Sequence, residues 1–165
     1  MRPTMPSAVQ VRELDELCRI VVPLDWQDLN GHVNVQYYLR MYDLAGVPML
    51  EALGVDEAWV QRERIGLFDL EHHIWYLAEI HVGHEVTAHV RFGGRNAKRP
   101  QGVVFLVDAT AGRLASAIEF VSTAAHLDTR RAVPLPEPVS SRLDALAADH
   151  AALDWPLPVS GSMSI

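Results

Sequence analysis

The most informative part of the sequence is Asp28-Leu29-Asn30-Gly31-His32-Val33-Asn34, which an apolar and aromatic run, Val35–Leu53, follows. A strand-like pattern, Arg19–Trp26, leads into the stretch, and the run beyond it has the spacing of a helix. A carboxylate just before a helix N-terminus places a base or nucleophile beside free backbone N–H groups. Those groups carry partial positive charge and suit a developing oxyanion. The stretch therefore predicts an apparatus that attacks a carbonyl.

The predicted helix begins with Asn34 as its N-cap and ends at Gly54. Residues that recur at steps of three and four mark one apolar face: Tyr38, Tyr42, Ala45, Met49 and Leu53. A second apolar row predicts burial on more than one side and consists of Leu39, Gly46 and Leu50. Pro48 falls inside the helix and predicts a kink or a local break.

Composition restricts the class of protein. The chain has 165 residues, 49% hydrophobic and 21% charged, which is typical of one globular domain with a sizeable core. The net charge of −7 and the single lysine give no basic stripe for nucleic acid. The one cysteine, Cys18, excludes an intrachain disulfide and fits a reducing compartment. No apolar run reaches the ~18 residues that span a bilayer, and the first ten residues lack the apolar core of a secretory signal. We therefore expect a cytoplasmic protein with no membrane or nucleic-acid partner.

Beyond the helix the sequence takes the period of two that is typical of strands, with glycine-rich turns between them. The predicted strands, including one before the helix, are Arg19–Leu24, Ile65–Leu70, Ile74–Ile80, Glu85–Phe92, Val103–Asp108 and Leu114–His126. This order predicts an α+β fold in which an antiparallel sheet wraps around one long buried helix. Such a sheet leaves strand edges and one face uncovered, so we expect self-association.

Three segments are predicted along the chain. Residues 1–17 form an N-terminal arm, and residues 18–130 form the folded domain. Residues 131–165 form a C-terminal extension with a short amphipathic helix, Ser140–Leu153, and a disordered tail.

With these elements in this order, the chain resembles the hotdog-fold acyl-CoA thioesterases of the 4-hydroxybenzoyl-CoA thioesterase-like family. The resemblance covers about residues 18–130, and it rests on the Asp-x-x-Gly-His-Val-Asn pattern at 28–34 and the Tyr-Leu pair that opens the helix. By its spacing to Gly31, Asp28 corresponds to the catalytic acid of that family. The chain departs from the family pattern at Trp26, which replaces another acid, and at Val35, which replaces a second asparagine.

The resemblance implies that Asp28 is the catalytic carboxylate, either as general base on water or as nucleophile. Backbone N–H groups of the loop, or of a neighbouring subunit, would polarise the thioester carbonyl. The residues implied as oxyanion or structural support are Gly31, His32, Val33 and Asn34, with His32 as a hydrogen-bonding clamp. The resemblance also implies an acyl-CoA substrate, a homodimer or homotetramer with sites between subunits, and neither a metal nor a cofactor beyond the CoA of the substrate.

Further residues are candidates for contact with the acyl group: Trp26, Tyr38, Glu71, His73 and Trp75. Aromatic rings near Asp69 and Glu71 can cage a quaternary ammonium group. The stretch 72–77 is similar to that of relatives that act on betainyl-CoA. The histidines of this region favour no metal site, because neighbouring positions on a strand face opposite ways and zinc-finger spacing is lacking.

The one dense basic run consists of Arg91, Arg95, Lys98 and Arg99. Arginine forks suit phosphate oxygens, so the run is a candidate dock for the CoA nucleotide. The alternative is a solvated charge cluster at a hairpin end, and the sequence does not decide between the two.

Two other functions compete with the thioesterase. Hotdog enoyl-CoA hydratases use Asp-x-Asn-Pro-x-His, which Asp28-Leu29-Asn30 begins, but proline is missing and His32 comes one residue early. A non-catalytic acyl-CoA-binding protein is the other alternative, and the acid at position 28 argues against it.

Overall fold

The computed structural model describes residues 3–163 and Ile165. Within these residues five strands form one antiparallel sheet in the order β1-β3-β4-β5-β2. The strands are β1 (Glu16–Val21), β2 (Ile65–Tyr76), β3 (Glu85–Arg95), β4 (Pro100–Asp108) and β5 (Arg113–His126). The α-helices are α1 (Ala8–Val11), α2 (Gln36–Ala52), α3 (Glu57–Glu63) and α4 (Glu137–Ala151).

Helix α2 packs on one face of the sheet, as predicted. Its buried side chains are Tyr38, Met41, Tyr42, Ala45 and Met49, and they form the main core with apolar residues of β3, β4 and β5. The second row departs from the prediction in part, since Leu39 is exposed whereas Gly46 and Leu50 are half-buried. Val47, which the predicted row did not include, is also exposed, and Leu39 and Val47 together form an exposed row on α2. Within the described residues, this exposed row leaves an apolar side of α2 without cover.

The start and course of α2 follow from local chemistry. The Gln36 N–H donates to the side-chain oxygen of Asn34 at 3.1 Å, so Asn34 caps the helix although regular geometry begins two residues later. The predicted break at Pro48 is wrong, because the helix continues through it to Ala52.

Strand β2 corrects the prediction of two separate strands in this region. It runs unbroken from Ile65 to Tyr76, with a bulge between Asp69 and Glu71. The extra residue, Leu70, shifts the alternation of side chains, which brings Asp69 and His72 to the same face although they are three apart. Both contact Tyr42 of α2.

The outer face of the sheet, opposite α2, is covered by the chain's own termini. A second apolar cluster joins Ala8 and Val11 of α1 and Trp155 of the C-terminal segment to Phe105 and Ala117 of the sheet. The N–H of Ser160 also donates to the buried carboxylate of Glu119. The packed C-terminal segment thus contradicts the disordered tail predicted from the sequence, and the predicted N-terminal arm also packs on the sheet. Strand β4, covered on both faces, is buried at almost every position.

The expectation of self-association now rests on the sheet edge and α2. Strand β2 pairs with β5 on one side, and its exposed residues include Phe68, Leu70 and Tyr76. The division at residues 17 and 130 and the oligomeric state remain predictions. No helix in the described part of the chain is long and apolar enough to cross a membrane.

Candidate active site

Asp28 lies in a tight loop between a short 3₁₀ turn, Leu24–Trp26, and α2. The Gly31 N–H donates to the Asp28 carbonyl at 3.1 Å, and Gly31 has a φ of 86°, a conformation that glycine adopts without strain. The Asp28 N–H in turn donates to the His32 carbonyl at 2.9 Å. The loop therefore fixes the backbone on both sides of the carboxylate.

Two neighbours hold the Asp28 carboxylate itself. The Asn30 N–H donates to one carboxylate oxygen at 2.7 Å, and the Asn30 side-chain amide lies 3.3 Å from the other. His32 Nδ1 lies 3.7 Å from the carboxylate and 3.2 Å from the Val33 carbonyl oxygen. Burial raises the pKa of Asp28, but the Asn30 hydrogen bonds and the nearby His32 outweigh it, so the pKa lies below its ordinary value. The carboxylate is ionised at neutral pH.

The backbone N–H groups of the loop are largely used in holding it together. The Val33 N–H donates to Ile80, and the Asn34 N–H donates to Trp26, while that of Gly31 is bound to Asp28. These three groups therefore act as structural support, and the part of the prediction that gives them to an oxyanion does not fit. The N–H groups of His32 and Val35 are not among these internal bonds, and both residues line the cavity beside Asp28.

That cavity has a volume of about 390 Å³ and opens between the loop, the first turns of α2 and the segment that follows β2. Its walls combine two carboxylates, two tyrosine rings and several apolar groups. The lining residues are Asp28, His32, Val33, Asn34, Val35, Tyr38, Tyr76, Leu77, Ala78 and Glu79. The cavity thus brings an ionised carboxylate and a helix N-terminus to one space of the size of a small ligand group.

Comparison with known proteins gives the family. The sequence model of the thioesterase-like superfamily matches residues 22–143, most of the chain. The chain belongs to the thioesterase-like superfamily. The predicted family, α+β fold and class of enzyme, a thioester hydrolase, are therefore confirmed.

Three similar proteins are informative. The betainyl-CoA thioesterase of Pseudomonas aeruginosa is 29% identical over 132 residues, which are 80% of this chain and 83% of that protein. An L-carnitine dehydrogenase/betainyl-CoA thioesterase of Rhizobium meliloti is 29% identical over 133 residues, 79% of this chain. The chain spans about a quarter of that relative, 26% of its length. Among solved structures, a hypothetical protein of Staphylococcus aureus in complex with CoA has a TM-score of 0.80 at 22% identity, covering 92% of this chain and 96% of its own.

The residues predicted to contact the acyl group divide into two sets. Tyr38 lines the cavity, and Trp26 stacks on Tyr37 with ring centroids 4.6 Å apart, so it braces the loop from outside the lining. In this thioesterase-like protein, His73 and Trp75 face away from the cavity. Their rings lie 4.3 Å apart, and Trp75 packs into the outer cluster.

Glu71 lies on the same side of β2 as His73, because strand side chains alternate. Glu71, His73 and Trp75 therefore do not line the cavity beside Asp28, which corrects their predicted contact with the acyl group there. His72, whose ring contacts Tyr42, is the histidine that faces α2.

The four residues of the basic run lie in different surroundings. Arg91 is buried on the outer face, donates to the carbonyls of His150 and Trp155, and lies 4.1 Å from the centre of the Trp155 ring. It anchors the C-terminal segment, so its prediction as a CoA ligand is wrong. Arg95 forms a two-bond pair with Asp144 of α4, at 2.8 and 2.7 Å. The predicted CoA role of Arg95, Lys98 and Arg99 remains a prediction.

Tyr76 and Glu79 are cavity residues that sequence reasoning missed. Tyr76 is the last residue of β2, and Glu79 lies in the segment after it. The predicted strand Ile74–Ile80 extended beyond the observed end of β2, so the sequence did not indicate that the chain leaves the sheet at this point. The signal was the resumption of polar residues at Glu79 after the apolar stretch 74–78.

A second polar cluster lies further along α2, around Asp69. Its carboxylate accepts hydrogen bonds from Ser122 at 2.6 Å and Tyr42 at 2.9 Å, and His72 Nε2 lies at 3.2 Å. Burial raises the pKa of Asp69, but these bonds outweigh it and the pKa lies below the ordinary value. Because every carboxylate oxygen is engaged, we interpret this cluster as a clamp between α2 and the sheet.

Proposed function

We propose that this protein hydrolyses an acyl-CoA thioester to a free acid and CoA, with Asp28 as the catalytic carboxylate. The observation that carries the proposal is the ionised Asp28 side chain, held by Asn30 and facing a cavity at the N-terminal end of α2. A carboxylate in this position can deprotonate a water molecule or attack the carbonyl carbon itself.

The carbonyl oxygen needs hydrogen-bond donors as it gains charge. Because Gly31, Val33 and Asn34 use their N–H groups within the loop, we assign this role to the N–H groups of His32 and Val35. The partial positive charge at the start of α2 supports the same oxyanion. The thiolate of CoA then leaves as the acyl group passes to water, directly or through an anhydride with Asp28.

The substrate we propose is a small acyl-CoA with a cationic acyl group, of which betainyl-CoA is the first to test. Two relatives that are 29% identical bear this substrate in their names, and one of them is matched over 83% of its length. The cavity supports the choice, since carboxylates and tyrosine rings line it.

We also propose a homodimer formed through the β2 edge and the exposed row of α2. Light scattering at micromolar concentration tests this arrangement, and a monomer there would contradict it. The edge strand and the apolar residues on it argue for a partner, because an uncovered edge invites pairing.

The deciding experiment for the activity measures thiol release from short, branched, aromatic and betainyl acyl-CoAs. We expect Asp28→Asn to fold normally and to lose about 10²–10⁴-fold in rate. Near wild-type turnover of that variant would remove Asp28 from the mechanism. A parallel assay measures the loss of absorbance of an enoyl-CoA. Hydration of the enoyl-CoA together with no thiol release from any acyl-CoA would favour the hydratase. A single turnover in ¹⁸O-water tests the role of Asp28: an unlabelled first acid with the label in Asp28 shows an anhydride that water opens at the aspartyl carbon, whereas a general base puts the label into the first acid released.

A further inference from the structure

Two tyrosine rings form a corner in the wall of the Asp28 cavity. The rings of Tyr38 and Tyr76 lie 5.0 Å apart between centroids and meet at 88°. Tyr38 is buried and comes from α2, whereas Tyr76 ends β2 and is about half exposed. Rings at right angles present π-faces along two directions, which is the arrangement that attracts a cation without hydrogen-bond donors.

The charges around this corner are negative. Among the described residues that line the cavity, Asp28 and Glu79 supply two carboxylates and no lysine or arginine is present. The Glu79 carboxylate is 64% exposed and lies 3.9 Å from His81 Nε2. The nearby Arg113 guanidinium donates to the backbone carbonyl of Glu79 at 2.7 Å and lies 4.0 Å from the buried carboxylate of Asp108. These two contacts hold the guanidinium at the backbone of residue 79. The field in the cavity therefore favours a positive ligand group.

The position of the corner fits a cation close to the reacting carbonyl. In a betainyl thioester one methylene separates the quaternary nitrogen from the carbonyl carbon. A thioester presented to Asp28 must therefore place its nitrogen within the same cavity, and the tyrosine corner is part of that cavity. A trimethylammonium group has no N–H to donate, so π-faces and carboxylates are the groups that recognise it.

We propose that Tyr38, Tyr76 and Glu79 form a quaternary-ammonium subsite beside Asp28, which selects acyl-CoA substrates with a fixed positive charge. This inference rests on the proposed function. Tyr76 and Tyr38 bind the methyl groups through their rings, and Glu79 draws the cation to the mouth of the cavity. Apolar neighbours, Leu77 and Ala78, exclude water from the group once it is bound.

The test compares betainyl-CoA with 3,3-dimethylbutyryl-CoA, in which a carbon atom replaces the charged nitrogen at nearly the same shape. We expect wild-type kcat/KM to favour the cationic substrate. Tyr76→Leu should lower kcat/KM for betainyl-CoA by about 5- to 30-fold and change that for the neutral substrate by less than about twofold. Tyr76→Phe keeps the ring and should retain the wild-type preference for betainyl-CoA.

Glu79→Gln should lower the preference by about two- to fivefold at low ionic strength, and the loss should shrink in high salt because exposed charges are screened. Glu51→Gln, which removes an exposed carboxylate elsewhere on α2, is the matched control and should leave the preference unchanged.

The outcomes distinguish a failure of the proposed subsite from a failure of the proposed function. Equal kcat/KM for the two substrates in the wild type, or a preference unchanged in both Tyr76→Leu and Glu79→Gln, would overturn the subsite and leave the thioesterase intact. An absence of thiol release from either substrate, and from the other acyl-CoAs of the screen, would instead overturn the proposed function.

Discussion

The hydroxyl of Tyr42 donates a 2.9 Å hydrogen bond to the carboxylate of Asp69, and this bond joins the middle of α2 to the edge strand β2. Ser122 of β5 donates to the other carboxylate oxygen at 2.6 Å. The bulge at Leu70 is what allows Asp69 and His72 to reach the same tyrosine. A polar contact of this kind fixes the position of α2, and so of its N-terminus, relative to the sheet.

Tyr42→Phe tests the strength of this contact. A hydrogen bond to a charged acceptor that is partly screened by solvent contributes on the order of 1 kcal/mol, so we expect a loss of that size in the free energy of unfolding. Urea denaturation measures it. Tyr37→Phe is the control, since the Tyr37 hydroxyl makes a longer, exposed contact of 3.4 Å to the Asp25 carbonyl. A loss no larger in Tyr42→Phe than in the control would contradict the clamp.

The Asp69 carboxyl should also make stability depend on acidity. Its pKa in the folded protein is below the ordinary value, so the folded state favours the charged form more than the unfolded state does. The resulting stability is present in full above about pH 4 and is lost as the pH falls through the folded pKa. Asp69→Asn should therefore flatten the acid side of a stability–pH curve from urea melts. A variant whose curve runs parallel to the wild type would show that Asp69 is not responsible.

The activity should also fall as the pH falls, because it depends on the ionised carboxylate of Asp28. Hydrolysis requires the ionised carboxylate, and the Asn30 hydrogen bonds hold its pKa below the ordinary value of 3.8. The acid limb of kcat/KM should therefore fall below about pH 4. Asn30→Ala removes the side-chain donor at 3.3 Å and keeps the backbone bond, so the limb should move to higher pH. A limb that stays fixed in this variant would assign it to another group.

Local sequence signals predicted the parts of the fold that local chemistry determines. Alternation and turn glycines identified β3, β4 and β5 to within a few residues, and the three-and-four spacing identified α2. The fusion of two predicted strands into β2 was missed because a bulge looks like a gap in the alternation. The covering of the outer face by both termini was missed because it depends on contacts between residues more than 100 positions apart, such as Val11 and Trp155.

In the candidate site, too, the features that depend on nearby residues were predicted, and those that depend on distant residues were not. The turn at Asp28 is held by hydrogen bonds among Asp28, Asn30, Gly31 and His32, so its motif could be recognised in the sequence. Tyr76 and Glu79 join Asp28 through the topology of the sheet, which no short pattern encodes. Arg91 shows the opposite error, because the basic run in the sequence becomes one buried, one half-buried and two exposed side chains. Arg91 lies within β3 under the C-terminal segment, whereas Lys98 and Arg99 lie in the connection between β3 and β4.

Arg91→Met tests the anchoring of the C-terminal segment. The guanidinium binds two carbonyls at the end of α4 and beyond, and it stacks on Trp155. Loss of these charged hydrogen bonds should lower the free energy of unfolding by about 2 kcal/mol or more, and residues after 151 should become sensitive to protease. Arg12→Met, at an exposed arginine, is the control. We expect KM for acyl-CoA to stay unchanged, and a selective rise in KM without destabilisation would return Arg91 to the CoA site.

Two other residues of the basic run, Lys98 and Arg99, give a prediction that depends on the proposed homodimer. Lys98 and Arg99 are exposed in the connection between β3 and β4. The eleven residues of β3 place that connection about 30 Å from the turn that leads to the Asp28 cavity. A CoA bound by these residues would therefore reach the Asp28 of a partner subunit. Such contacts bind ground state and transition state alike, so they affect KM rather than kcat.

We expect Lys98→Ser with Arg99→Ser to raise KM for acyl-CoA severalfold at low ionic strength and to leave kcat nearly unchanged. The difference from wild type should narrow in high salt, where phosphate contacts are already screened. Arg12→Ser with Arg62→Ser removes the same charge from exposed sites elsewhere and serves as the control. If KM at low ionic strength is the same in both double variants, the run is a solvated cluster, and the CoA phosphates bind at another surface of the protein.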